Sequence, residues 1–225
     1  EGCRSLTSIN VSSFNTSKVT DMGSMFEGCR SLTSINVSSF NTSNVTSMWY
    51  IFYGCSSLTS IDVSNFDTSN VTNMYNMFIG CSRLIALDKT TLTFNNKDSQ
   101  VIIVSGIKFG NNGVETWTSN NESVVNVKDG IVIPVSNGST QIKYNLKLFG
   151  KYDITKTCNV TVKLLKGDFN CSGKVDITDA YLILKKISLN EVFENADKYI
   201  ADMNSDGKVN ITDVYLILKS VSENV

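Results

Sequence analysis

The 225-residue chain has no histidine and a single proline. Without imidazole there is no Ser-His-Asp or Cys-His nucleophile pair and no zinc site that needs histidine, which excludes most common hydrolase mechanisms. Net charge is nearly absent as well: 20 Lys and Arg stand against 21 Asp and Glu, leaving −1. No basic stripe interrupts the sequence, so the electrostatic footprint of a nucleic-acid or anionic-membrane partner is missing. Apolar runs such as Val101-Ile102-Ile103-Val104 and Tyr181-Leu182-Ile183-Leu184 fall far short of the ~20 residues that span a bilayer. Paired carboxylates do not recur and the many serines and threonines lack a base, so no enzyme activity is expected of this chain.

What is abundant is repetition. The string Glu1-Gly2-Cys3-Arg4-Ser5-Leu6 returns as Glu27-Gly28-Cys29-Arg30-Ser31-Leu32 and as Tyr53-Gly54-Cys55-Ser56-Ser57-Leu58, a period of 26 residues. A degenerate fourth copy occupies residues 79–92. Within a copy Leu32, Ile35, Val37 and Phe40 have the spacing of a leucine-rich-repeat strand and turn, while Met22, Met25, Phe26 and Cys29 at intervals of three and four suggest a short helix or helical turn. In the last copy Lys89 stands where earlier copies have Val11, Val37 and Val63, as expected of a capping coil with no neighbour to cover it. On these residues the segment resembles the BspA-like class of 26-residue leucine-rich repeats, which implies a solenoid over residues 1–91. Because Glu1 begins partway through a repeat with no signal-peptide core, the chain is expected to be a piece of a longer protein.

From about residue 92 the apolar period changes to two. Runs at 100–109, 114–118, 123–127, 131–135, 141–148 and 156–163 are punctuated by Asn111-Asn112-Gly113, Asp129-Gly130 and Asn137-Gly138. Six or seven short strands in about 75 residues predict a small β-sandwich over 92–166. Pro134 marks an edge strand or a bulge, because it cannot donate a ladder hydrogen bond. The residues 117–127, 129–132 and 158–162 resemble bacterial Ig-like domains of group 2, modules that mostly serve as spacers.

Residues 167–225 change character again. Asp168, Asn170, Ser172, Lys174, Asp176 and Asp179 occupy positions 1, 3, 5, 7, 9 and 12 of a twelve-residue loop with Gly173 at position 6. Asp202, Asn204, Asp206, Lys208, Asn210 and Asp213 repeat the pattern 34 residues later, with Gly207 at position 6. Calcium takes six to eight oxygens, and this spacing wraps side-chain oxygens and the carbonyl of residue 7 around one point. Position 12 is Asp instead of the usual Glu, and each loop leads directly into an exiting helix. That duplicated loop-helix arrangement, residues 168–185 matched by 202–219, resembles type I dockerins, whose fold is a small all-α module with two F-hand repeats. The resemblance implies two calcium ions and docking onto a cohesin domain of a scaffoldin, as in cellulosomes. It also implies recognition through Ile177, Thr178, Tyr181, Leu182, Lys185 and Lys186 after the first loop, and Ile211, Thr212, Tyr215, Leu216 and Lys219 after the second. Independently, Val175, Ala180, Ile183 and Ile187 suffice for one buried face, so Tyr181, Leu182 and Leu184 form a second apolar face that asks for a partner.

The cysteines at 3, 29, 55 and 81 recur with the repeat, which favours a buried, reduced ladder over zinc or a disulfide. Cys158 alternates with Val160 and Val162 and is expected to face the sandwich core; a bridge to Cys171 is the alternative. Taken together, the chain is expected to be multidomain, extracellular and attached to a cellulosome or cell surface, presenting a leucine-rich-repeat binding domain for an unknown glycan or protein. The alternatives are a cell-surface adhesin and the C-terminal part of a larger cellulosomal enzyme.

Overall fold

The computed structural model describes residues 2–150 and 152–223. Glu1, which opens the first copy, and the last two residues of the 167–225 stretch lie outside the described residues. The strands are β1 (Ser34–Ile35), β2 (Ser60–Asp62), β3 (Ala86–Leu87), β4 (Thr91–Phe94), β5 (Gln100–Val101), β6 (Val104–Ser105), β7 (Ile107–Lys108), β8 (Gly113–Ser119), β9 (Val125–Lys128), β10 (Ile131–Pro134), β11 (Gly138–Leu148) and β12 (Tyr152–Val162). Three helices follow: α1 (Ile177–Ser188), α2 (Asn195–Ala201) and α3 (Ile211–Glu223). The chain divides into two compact units that cross the expected boundaries at 91 and 166: Glu1–Asp88, Ile103–Thr116 and Tyr144–Lys156 form one, and the remaining stretches the other.

In the first unit, neighbouring copies join in parallel. β1 pairs with β2 through Ser34↔Ser60 and Ile35↔Ile61, and single bridges link Asp21 to Ser47 and Ser47 to Asn73. Among the described residues the segment around Met22, Met25, Phe26 and Cys29 forms tight turns and no helix. The reason lies in where its backbone donors go. Met22, Ser24, Phe26 and Gly28 donate to the carbonyls of Ser47, Trp49, Ile51 and Tyr53 in the next copy, while Glu27 and Cys29 donate three residues back. A helix would keep these donors to itself; here the neighbouring copy satisfies alternate ones. The apolar stripes are buried as expected, with Phe26, Phe52 and Phe78 stacked at centroid separations of 5.6 and 5.5 Å and Leu32, Leu58 and Leu84 buried as well. Threonines tie the copies together: Thr16 Oγ1 donates to the Asn41 carbonyl at 3.0 Å and accepts from the Asn41 N–H at 2.8 Å. Thr42 repeats the pair with Asp67.

The cysteines of the copies are free; Cys29, Cys55 and Cys81 are buried and Cys3 is exposed. The Cys55 thiol donates to the Phe26 carbonyl and Cys81 to Phe52, each at 3.0 Å. Burial, and then the cysteine one copy before, pushes the Cys55 and Cys81 thiols up to about 12.

The fourth copy departs from the register of the first three. A continued period would set Leu87 beside Ile61, yet β3 pairs antiparallel with β6 and the place beside β2 is taken by β7 through Ile61↔Ile107. Asn112 Nδ2 then donates to the carbonyls of Val63 and Phe66 at 3.0 and 3.1 Å, as Asn65 does to Val37 and Phe40 one copy earlier. Gly106 makes this entry sterically feasible: its φ is +122°, and a Cβ there would collide with the Leu84 carbonyl oxygen.

In the second unit β5 and β9 flank β10, both antiparallel to it, and β4 runs parallel to the end of β12, from Asn159↔Thr91 to Val162↔Phe94. The apolar run at 100–109 is therefore not one strand: its three pieces, β5, β6 and β7, enter three different sheets. Pro134 lies in a central strand and not at an edge, and it is tolerated because the β5 ladder reaches only Ile131 and Val132. Cys158 is buried and free, and Cys171 is also free. In the C-terminal segment α1 packs on α3, and Phe169, Ala180, Ile183, Ala196, Ile200, Val214 and Ile217 are buried.

Candidate metal centre and docking surface

Each Asp-rich loop is organised around the carboxylates at its first and last positions. Asp168 Oδ1 accepts from Ser172 N at 2.9 Å and Oδ2 from Gly173 N at 2.8 Å. Asp179 closes the loop by accepting from Asn170 N and Asp176 N, both at 2.9 Å. The second loop repeats the frame: Asp202 accepts from Asp206 N at 3.1 Å and Gly207 N at 2.9 Å, and Asp213 from Met203 N and Asn210 N, both at 2.9 Å. Gly173 and Gly207 have φ of +88° and +81° with open space where a Cβ would stand, so backbone conformation and not crowding dictates glycine there.

Asp168, Asp179, Asp202 and Asp213 are all buried, and none of the salt bridges among the described residues engages them. Two buried carboxylates facing one small loop without a countercharge are costly, and a divalent cation is the group that removes the cost. The remaining donors fit an oxygen-seeking ion. In the first loop Ser172 Oγ lies 3.5 Å from Asp168 Oδ1 and 3.3 Å from the Lys174 carbonyl, and Asn170 Oδ1 faces the same turn through Ser172 N. In the second, Asn204 Nδ2 donates to Asp206 Oδ2 at 3.0 Å.

The ninth positions behave differently. Asp176 caps α1, accepting from Thr178 N at 2.7 Å in a capping box with Asp179. Hydrogen bonds from the side chain and then the main chain of Thr178 hold its carboxyl below the usual carboxylate range. Asn210 accepts in the same way from Thr212 N at 2.8 Å. Lys174 and Lys208 are exposed, consistent with supplying only a carbonyl. Among the described residues no three Cys, Asp or Glu side chains gather into one cluster. Each loop instead combines two buried carboxylates with amide and main-chain oxygens, joined by the Ser172 hydroxyl in the first loop and the Asp206 carboxylate in the second, a mixed oxygen set that calcium accepts.

The helices leaving the loops carry matched exposed stripes. Ile177 and Tyr181 are 68% and 60% exposed, Ile211 and Tyr215 both 61%, and Leu184 and Leu218 continue the two stripes at helical spacing. Thr178, Lys185, Thr212 and Lys219 are exposed beside them, whereas Leu182 and Leu216 are half-buried. Lys186 is the predicted contact that the structure engages elsewhere: its Nζ is 2.8 Å from Asp197, which also takes Lys97 at 2.8 Å. Lys97 Nζ lies 4.0 Å from the centre of the Phe169 ring. Its position in a turn-rich stretch, with no period linking it to the helices, left no signal of this contact. No helix among the described residues is long and apolar enough to cross a membrane.

Duplicated oxygen-rich loops, each followed by a helix with an exposed apolar stripe, define the class: a calcium-loop docking module joined to a β-rich repeat region. The comparisons with known proteins agree at the level of segments. Residues 166–222 match the Dockerin type I domain, and type I dockerins bind calcium and dock onto cohesin domains. The chain belongs to the family described as Mycoplasma protein of unknown function, DUF285, whose model matches residues 1–117. No curated protein matches the chain. Among solved structures it is similar, at 16% identity and a TM-score of 0.26, to the Bacteroides ovatus mixed-linkage glucan utilization locus protein SGBP-B in complex with a mixed-linkage heptasaccharide. That match covers 36% of this chain and 21% of the other.

Proposed function

We propose that this chain is a non-catalytic, extracellular, cellulosome-type component that docks through residues 166–222, with two calcium ions bound, onto a cohesin domain of a scaffoldin. The observation that carries the reading is the duplication itself: Ile177, Tyr181 and Leu184 on α1 are matched in type, spacing and exposure by Ile211, Tyr215 and Leu218 on α3. Stability alone gives no reason to expose six such residues in a small helical module; a partner surface does. Asp168, Asn170, Ser172, the Lys174 carbonyl, Asp176 and Asp179 would hold the first ion. Asp202, Asn204, Asp206, the Lys208 carbonyl, Asn210 and Asp213 would hold the second. Calcium would supply the positive charge that the buried carboxylates lack, while the loop residues fix where each stripe begins.

The repeats are, in this reading, leucine-rich-like copies of the BspA-like class held out on a group 2 Ig-like module. The 26-residue spacing of the parallel bridges supports the first part, and the short antiparallel strands β5, β9 and β10 support the second. Titration calorimetry against a panel of cohesin domains tests the docking. Ile177→Asp or Ile211→Asp alone should weaken binding modestly, because the other stripe remains, and the double variant should abolish it. Undiminished affinity in the double variant would sink the proposed surface.

A further inference from the structure

One surface of the repeat stack carries rings that the fold does not require. In the second copy Trp49, Tyr50 and Tyr53 occupy the positions that hold Gly23, Ser24 and Glu27 in the first copy and Tyr75, Asn76 and Ile79 in the third. The first copy makes the same inter-copy backbone bonds without any ring at these places. The rings nevertheless form one contiguous group: Tyr50 lies 5.2 Å from Trp49, 4.7 Å from Tyr53 and 5.7 Å from Tyr75 between centroids. Tyr75 is 65% exposed, and the other three are half-buried against one another.

Two further observations separate this patch from chance surface. Tyr50 has a φ of +56°, where the other copies place Ser24 at +56° and Asn76 at +54°. Asn adopts this left-handed conformation readily and a bulky aromatic residue does not, so the ring is held at a conformational cost that the fold could have avoided. Gly23 also provides the seat for Trp49, since a Cβ on Gly23 would run into the indole.

The chemistry of the rim indicates the ligand. Asp21 and Glu27 of the first copy become Ser47 and Tyr53, then Asn73 and Ile79, so residues 45–55 and 71–81 contain no charged side chain. Asn76 Nδ2 donates to the Tyr50 hydroxyl at 3.4 Å, and Asn73 is exposed two residues before Tyr75, accepting from the Tyr75 N–H at 3.0 Å. On the first-copy side Asp21, bridged to Ser47, and Glu27 add carboxylates; flat π faces bordered by amides, hydroxyls and carboxylates, with no cation in residues 45–55 or 71–81, match a pyranose ring, which has an apolar C–H face and hydroxyls at its edge. A polyanion would find no cation here.

We propose that Trp49, Tyr50, Tyr53 and Tyr75 form a binding platform for a neutral polysaccharide. The platform needs neither calcium nor the cohesin surface, so its failure is distinguishable from failure of the docking reading. The test is affinity electrophoresis of the full chain through gels containing xylan, glucomannan or hydroxyethylcellulose, with calcium and again with EDTA. At least one of these polymers should retard the wild-type chain in both conditions. Trp49→Ala and Tyr75→Ala should each weaken retardation about tenfold, and Gly23→Ala should do so by displacing the indole without removing any ring. Tyr50→Asn should weaken binding and leave the melting temperature unchanged or raised. Passage of the wild-type chain through all three polymers without retardation would overturn the proposal, as would retention by a Trp49→Ala/Tyr75→Ala variant. A lower melting temperature in Tyr50→Asn would show the ring to be structural and would also overturn it.

Discussion

Removing calcium should unfold the C-terminal module and leave the repeats standing. Each loop buries two carboxylates bonded mainly by backbone N–H groups, and none of the salt bridges among the described residues engages them; the Lys166 ammonium near the second loop bonds the Asp202 carbonyl and the Ser205 hydroxyl instead. An ion that binds only the folded form stabilises it by about 2.7 kcal/mol when present at a hundred times its dissociation constant, so two loops together contribute roughly 5 kcal/mol by the same relation. Domains of this kind hold roughly 0.05–0.15 kcal/mol per residue, or about 3 to 9 kcal/mol for a stretch as long as 166–222. The ion contribution is thus comparable with the whole stability of the module. Melting the full chain with calcium and with excess EDTA measures the effect. The far-ultraviolet helical signal reports α1 and α3, and tryptophan fluorescence reports Trp49 in the repeats and Trp117 in β8. Chelation should collapse the helical signal at temperatures where the Trp49 environment is unchanged, and Asp179→Ala with Asp213→Ala should do the same in the presence of calcium. Superimposable helical melts with calcium and with EDTA would refute the assignment of the loops.

Other outcomes follow from single residues. Cys55→Ala should cost about 1 kcal/mol or somewhat more, through a small cavity and the lost bond to the Phe26 carbonyl, in a denaturant titration. Because folding raises the Cys55 and Cys81 thiols to about 12, their contribution is intact below the unfolded thiol value and fades as pH rises through about 9 to 12. Alkylation at mildly alkaline pH should accordingly label Cys3 long before Cys55, as peptide mass spectrometry would show. Burial alone would raise the Asp197 carboxyl, but hydrogen bonds and charges from Lys186 and Lys97 outweigh it and hold the carboxyl below its ordinary value. The contribution of Asp197 is therefore present above the ordinary carboxylate value of about 4 and is lost as pH falls through its lowered folded value, a limb that Asp197→Asn should flatten in acid titrations. Gly106→Ala should cost more than about 3 kcal/mol, because it combines a left-handed φ with a collision against a carbonyl that cannot move aside.

The loops were legible residue by residue because a metal loop is a local object. Its ligand spacing, its glycine and its closing carboxylate all fall within twelve positions, and the two loops make the same hydrogen bonds at an offset of 34. The exposed stripes were legible for a related reason: a helix period decides which residues share a face, and Ala180 with Ile183 already fills the buried one. Lys186 shows the limit of such reasoning, since its charge partner on α2 is eleven residues away and Lys97 is far outside the module in sequence.

The repeats show why a period can be right while the path of the chain is missed. Three copies announce a 26-residue step, and the buried phenylalanine and leucine stripes obey it. What lies beside β2 is nevertheless set by which later segment can offer an isoleucine to Ile61 and an amide to the carbonyls of Val63 and Phe66. Residues 107–112 do so with Ile107 and Asn112, and residues 87–92 do not, because Lys89 stands at the place of Val63 and Thr91 at the place of Asn65. The Asp88 main-chain N–H instead donates to Ile103, and its carboxylate accepts from Ile103 N at 2.7 Å. The signal was present as Ile-x-aromatic-Gly-Asn-Asn, one residue longer than Ile61-Asp62-Val63-Ser64-Asn65. An alternating apolar run hides it, because a period of two records which side chains face inward and says nothing about which strand each residue will meet. Gly106 provides the missing information: a residue with φ of +122° breaks the run and lets β6 and β7 belong to different sheets.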